Sequence, residues 1–188
     1  MTVWHRSDDH FGHRKVSELR GFPTPAHHNI ALVERHNDLV RPDDIVWFHG
    51  DLSAGGSKAT HEALHWIDLM HGRKRLIYGN HDPGHPMNRD AWKWQKTYLA
   101  HFESAQPFAR VSIDETRALL SHFPYTADRN EQRYGQYRLR NEGMWLIHGH
   151  LHSKDTITSS REIHVGLDAW GLNPVSADQI KALMDVLE

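Results

Sequence analysis

The chain has 188 residues, of which 38% are hydrophobic and 24% charged, with a formal net charge of −2 when histidines are counted neutral. That length and balance fit a single domain over residues 1–188 with a buried core, and they offer no global basic field for nucleic acid or a membrane surface. The absence of cysteine excludes disulfides, thiolate metal sites and cysteine nucleophiles; no apolar leader follows Met1 and no run reaches membrane-span length, so the expected location is the cytoplasm.

In chain order, a short apolar run predicts a strand over residues 3–7, and residues 27–40 read as a helix. A second strand, 45–49, contains Ile45-Val46-Trp47-Phe48. The next helix, 57–70, places Ala59, Ala63, Trp66, Ile67 and Met70 on one face. A strand at 75–78 follows, then a helix over 88–99 capped by Asn88, with Ala91, Trp94 and Tyr98 as its apolar face. Strands are predicted at 108–113, 117–122, 144–148 and 162–165. The last helix, 176–187, is marked by a capping box of Ser176 and Gln179 and a stripe of Ile180, Leu183, Met184 and Leu187. Alternation in the first half and strand richness in the second predict an α/β fold with two packed sheets flanked by helices.

The unusual count is histidine, 18 of 188 residues, and the pattern matters more than the count. Five predicted strands run directly into possible ligands: Asp8-Asp9-His10, Gly50-Asp51, Gly79-Asn80-His81-Asp82, His122, and Gly149-His150-Leu151-His152. Loops beyond strand ends are where α/β proteins build their sites. This mixture of carboxylate, amide and imidazole suits Mn²⁺, Fe, Zn²⁺ or Ni²⁺ better than Ca²⁺ or Mg²⁺. Seven ligands are too many for one tetrahedral ion and about right for two ions sharing a carboxylate, a recurring device of phosphoester hydrolysis.

The order D-x-H, G-D, G-N-H-D, H, G-H-x-H resembles the calcineurin-like metallophosphoesterase superfamily, over residues 8–152. The finer wording is similar to a small bacterial and phage-encoded branch, on Ser7-Asp8-Asp9-His10-Phe11-Gly12-His13, Ser121-His122-Phe123-Pro124-Tyr125 and Val165-Gly166-Leu167-Asp168-Ala169-Trp170. The resemblance implies a four-layer α/β/β/α sandwich with two mixed sheets, in the cytoplasm of a bacterium or phage-infected host. It implies a first metal on Asp8, His10 and His152, a second on Asn80, His122 and His150, and Asp51 as the bridge, with Mn²⁺ the foremost choice of ion. It also implies a metal-bridging hydroxide as nucleophile, His81 near the leaving group and Asp82 orienting His81. The expected activity is phosphodiesterase action on small diesters such as cyclic nucleotides or nucleic-acid ends. Phosphomonoesterase action and a catalytically silent metal-binding protein are the alternatives. A net charge of −2 argues against a groove for long nucleic acid.

The remaining residues carry weaker expectations. Asp9 is expected near the surface. His13 reads either as a phosphate contact or as solvent-facing, and His49 and His148 as hydrogen-bonded core residues. His164 and Asp168 are candidates for a contact behind the ligands, while His27, His28, His61 and His65 read as surface. Residues 125–140 hold Arg129, Arg133, Arg138 and Arg140 among Tyr125, Tyr134 and Tyr137, a possible anion- or nucleotide-binding lip in which Arg129 and Arg133 are the substrate-binding candidates. Trp92 and Trp94 read as packing residues.

Overall fold

The computed structural model describes residues 1–126 and 133–187. Its first sheet is built from β1 (Val3–Arg6), β2 (Ile45–Phe48), β3 (Arg73–Ile77) and β4 (Ser104–Gln106), all parallel, with β10 (Val175–Ser176) antiparallel to β1. Parallel neighbours require crossovers. Here these contain α1 (Arg14–Leu19), α2 (Pro25–Leu39), α3 (Ser57–Asp68) and the single turn α4 (Gln95–Tyr98). The second sheet has the order β5-β6-β7-β9-β8, formed by β5 (Phe108–Ile113), β6 (Thr116–Ser121), β7 (Trp145–His148), β8 (Ile157–Ser159) and β9 (Glu162–His164). Strands β6, β7 and β9 are parallel, with β5 and β8 antiparallel at the edges. The fold is therefore α/β with two mixed five-stranded sheets.

The two-residue period of the strands divides the core. Val46, Phe48 and Leu76 pack with Leu32, Leu64 and Ile67 of α2 and α3. Trp47 and Ile77 join Leu120, Trp145, Ile147 and Ile163 of the second sheet. Helix α5 (Ala177–Leu187) inserts Ile180 and Met184 into that second core and touches β1, β5 and β9. Its predicted capping box is present: Ser176 N–H donates to Gln179 Oε1 at 3.0 Å, and Gln179 N–H donates to Ser176 Oγ at 3.2 Å.

One predicted element takes another form, and four short elements have no counterpart in the prediction. Residues 88–99 form a short 3₁₀ turn, Ala91–Trp94, followed by α4. Asn88 does not cap them: its side-chain amide donates to the Asp82 carbonyl at 3.2 Å. Trp92 is 71% exposed, whereas Trp94 packs beside the core. The short elements α1, β4, β8 and β10 carry too few apolar residues to show periodicity.

At one rim the sheets meet. Ser7, just past β1, bridges Gly166, just past β9, and Leu167 N–H donates to the Ser7 carbonyl at 3.1 Å. The candidate ligands lie on the loops of this rim.

Candidate metal centre

Asp8 and His10 follow β1, Asp51 follows β2, Asn80 and His81 follow β3, His122 follows β6, and His150 and His152 follow β7. Backbone bonds lash the first two loops together, from Asp8 N–H to the Gly50 carbonyl and from His10 N–H to the Asp51 carbonyl, both at 3.0 Å. Five of these residues adopt left-handed backbone: Asp8 (φ 63), His10 (φ 50), Asp51 (φ 56), His150 (φ 75) and His152 (φ 51). Each such residue costs about 1–3 kcal/mol and persists only when its surroundings over-determine it. Two glycines make the crowding possible. A Cβ on Gly79 would stand 2.2 Å from Asp51 Oδ1, and one on Gly149 would stand 1.9 Å from Ser7 Oγ.

The ring nitrogens report what the site needs. His10 Nδ1 faces the Ser53 carbonyl at 3.1 Å, and His122 Nδ1 faces the His49 carbonyl at 2.7 Å. His152 Nδ1 faces Asp168 Oδ2 at 3.1 Å. These oxygens only accept, so each Nδ1 carries a proton and each Nε2 turns inward. There His10 Nε2 meets His152 Nε2 at 3.1 Å. His122 Nε2 meets Asn80 Oδ1 at 3.1 Å, His150 Nδ1 at 3.2 Å and Asp51 Oδ2 at 3.5 Å. Acceptors brought face to face repel unless a proton or a cation lies between them. Asp8, His10 and His152 form one group whose donor atoms all lie within 4.8 Å, and Asp8, Asp51 and His122 form another. Buried His and Asp groups of this kind could bind metal ions, and the nitrogen–oxygen mixture fits divalent transition metals.

The electrostatics agree. Burial alone would raise the pKa of Asp51, but His122, His10 and His81 hold it well below the usual carboxylate range. Burial alone would lower that of His122, but Asp51 and Asp8 push it up to about 9. Two buried carboxylates thus retain a proton on His122, and a divalent ion would displace it. His10 is lowered to about 4 by burial and keeps a neutral ring.

His81 stands over this centre, its side chain 39% exposed and its Nε2 3.9 Å from Asp51 Oδ2. Asp82 does not reach the His81 ring, contrary to expectation. Its carboxylate accepts from Gly79 N–H at 2.7 Å, Asp51 N–H at 3.0 Å and Leu52 N–H at 3.3 Å. It therefore ties the β2 and β3 loops together, and any effect on His81 passes through the backbone. Burial and then Asp51 push its pKa up to about 7.

His13 is half-buried, with its ring edge-on to His10 at 5.6 Å. Arg133 is exposed and stacks on Tyr134, with its guanidinium 4.7 Å from the ring centre. It is Tyr134 that packs against His150, at 5.5 Å. Arg129 lies outside the described residues. Arg138 donates to the Pro124 and Thr126 carbonyls, both at 2.9 Å. His49 and His148 are fully buried and hydrogen-bonded, as expected.

Two expectations of surface position are overturned. Asp9 is fully buried and ion-paired with the equally buried Arg6, because the tight turn after β1 directs its side chain inward. His28 is buried against Arg20, with Nε2 3.1 Å from Arg20 Nη1. Arg20 itself gave no signal in the sequence. It grips Asp168 through Nε (2.9 Å) and Nη2 (2.8 Å), and it donates to the Asp8 and Asp9 carbonyls at 2.8 and 3.2 Å. Asp168 thus stands behind His152, while His164 makes no hydrogen bond to a candidate ligand among the described residues: its Nδ1 faces the Asp155 carbonyl.

Two packed mixed sheets with His/Asp clusters at one rim define an α/β fold with candidate metal-binding residues. The chain belongs to the family of mycobacteriophage gene 66 proteins. It is 45% identical over 196 residues to the gene 66 protein of Mycobacterium phage D29, covering 100% of this chain and 98% of that one. It is 43% identical to the gene 66 protein of Mycobacterium phage L5, covering 98% and 94%. No protein-family model matches the chain. Among solved structures, a protein of unknown function from Aquifex aeolicus shares the fold, with a TM-score of 0.73 and 22% identity over 97% of this chain and 98% of that one. A novel archaeal phosphodiesterase aligns with a TM-score of 0.49 and 16% identity over 88% and 82%. Among the described residues, no helix is long and apolar enough to cross a membrane.

Proposed function

We propose that residues 1–188 act as one metal-dependent phosphodiesterase domain on small diesters such as cyclic nucleotides or nucleic-acid ends. The observation that carries this reading is the inward convergence of the His10, His122 and His152 Nε2 atoms on Asp8 and Asp51. In this reading Asp8, His10 and His152 hold one ion, and Asn80, His122 and His150 hold the other. Asp51 is their common ligand, since its Oδ2 lies 3.5 Å from His122 Nε2 and 3.9 Å from His10 Nε2. Two divalent ions, Mn²⁺ foremost, would supply a water acidified to near-neutral pKa and charge to neutralise the phosphate oxygens.

The chain's own residues do the rest. His81, whose ring makes no hydrogen bond among the described residues and is partly open to solvent, donates a proton to the departing ester oxygen. Asp82 fixes the loop that carries His81. Arg20 adds no donor for a second phosphate charge, because its N–H groups are engaged by Asp168, His28 and the Asp8 and Asp9 carbonyls. That favours the singly charged diester over the doubly charged monoester. The test is a paired assay with Mn²⁺, comparing bis-p-nitrophenyl phosphate with p-nitrophenyl phosphate. Preference for the diester is expected; preference for the monoester would replace this reading with a phosphatase.

A further inference from the structure

Beside the candidate metal centre lies a cavity of about 570 Å³, lined by Val16, Leu19, Leu172, His152, Asp168 and Lys154. His152 belongs both to this lining and to the first donor group, so the cavity adjoins the centre at the His152 ring. The polar groups at that junction already satisfy one another. Asp168 accepts from Arg20 and faces His152 Nδ1, which leaves little to read a ligand by hydrogen bonding. What remains is aliphatic surface.

Leu19 is 74% exposed. Leu172 is held at φ 67, a conformation a bulky side chain rarely adopts and one that recurs where function constrains the backbone. A single exposed leucine is ordinary. Three aliphatic side chains around a cavity that adjoins a candidate metal centre are the usual composition of a small-molecule pocket, and the volume lies within the usual range of about 300–1,000 Å³. Lys154 adds a positive charge suited to an anionic substrate.

We propose that this cavity receives the non-reacting substituent of the bound phosphodiester, and that this substituent is an apolar ring of phenyl to nucleobase size, gripped by shape and apolar contact. The inference rests on the phosphodiesterase reading, because a diester has a second substituent and a monoester has none.

The test varies that substituent and keeps the leaving group. Mn²⁺-loaded protein is assayed with phenyl and methyl p-nitrophenyl phosphate, corrected for their uncatalysed rates. It is also titrated calorimetrically with phenylphosphonate and methylphosphonate, which it cannot hydrolyse. The phenyl ester is expected to exceed the methyl ester in kcat/KM by about tenfold or more, and phenylphosphonate to bind more tightly by a similar factor. Leu19→Asp, at an exposed position that leaves the core untouched, should bring both ratios toward one. Where turnover occurs, the kinetic ratio decides: equal rates overturn the cavity assignment and leave the hydrolase reading standing. Where no turnover occurs, the phosphonate ratio decides. A Leu19-dependent phenyl preference removes the phosphodiesterase reading and leaves the cavity as an apolar-ring site only, which overturns its assignment to a diester substituent; no preference removes both.

Discussion

Replacing Gly79 by alanine tests whether crowding around Asp51 sets the centre. The added Cβ would stand 2.2 Å from Asp51 Oδ1 and 2.5 Å from Asp51 N. An ordinary contact needs roughly 1 Å more, and the backbone nitrogen cannot yield by rotating a side chain. The β2 and β3 loops must therefore part, carrying the Asp51 carboxylate away from His122. Misplacement of about 1 Å costs roughly 10²-fold in turnover, and overpacking of this kind costs about 1–3 kcal/mol of stability. Gly135→Ala is the control, since its Cβ would meet open space. Metal content by mass spectrometry after dialysis against Mn²⁺, together with diester turnover, gives the readout. A Gly79→Ala protein with full metal content and undiminished turnover would refute the placement of Asp51 among the ligands.

Three further outcomes are expected. Asp51→Asn should lower metal content and turnover together, because an anionic oxygen 3.5 Å from His122 Nε2 is exchanged for a neutral amide; full activity in that variant would end its role as common ligand. His81→Ala should reduce turnover by about 10²-fold or more with metal content unchanged, and loss of metal would mean that His81 is itself a ligand. Metal-stripped protein should lose stability on acidification. Burial lowers His5 and His148 to about 3, so between that value and about 6.5 the unfolded chain binds protons that the folded chain does not. Their contribution is complete above 6.5 and falls as pH drops, by at most roughly 2 kcal/mol for each residue at pH 5. Equal urea midpoints at pH 7 and pH 5 would contradict this.

The sequence was most legible where chemistry and periodicity coincide. The strands ending at Phe48 and His148 and the helix behind Ser176 and Gln179 announce themselves through short apolar runs and a cap. The candidate ligands are legible because each directly follows a strand, where a single residue type suffices to suggest a role. What stayed hidden depends on tertiary meeting. Asp9 looks like the variable residue of its motif, and only its pairing with Arg6, three residues upstream on β1, explains its burial. Arg20 reaches Asp168 across 148 positions, and its short helix has no apolar stripe to mark it. Asp82 sits in a motif with His81, yet its acceptors are filled by backbone N–H groups whose directions depend on the turns at Gly50 and Gly79.

The two sheets have a further bearing through the rim at which they meet. Asp8, His10, Asp51 and Asn80 hang from one sheet, and His122, His150 and His152 from the other. A cation seated among them would be a clasp between two halves of the molecule, joining chain segments from residue 8 to residue 152. It would also restrain five left-handed residues that otherwise pull toward release. Free metal concentration in the surrounding medium would then set the stability of the whole chain, since each tenfold rise above the dissociation constant adds about 1.4 kcal/mol per bound ion.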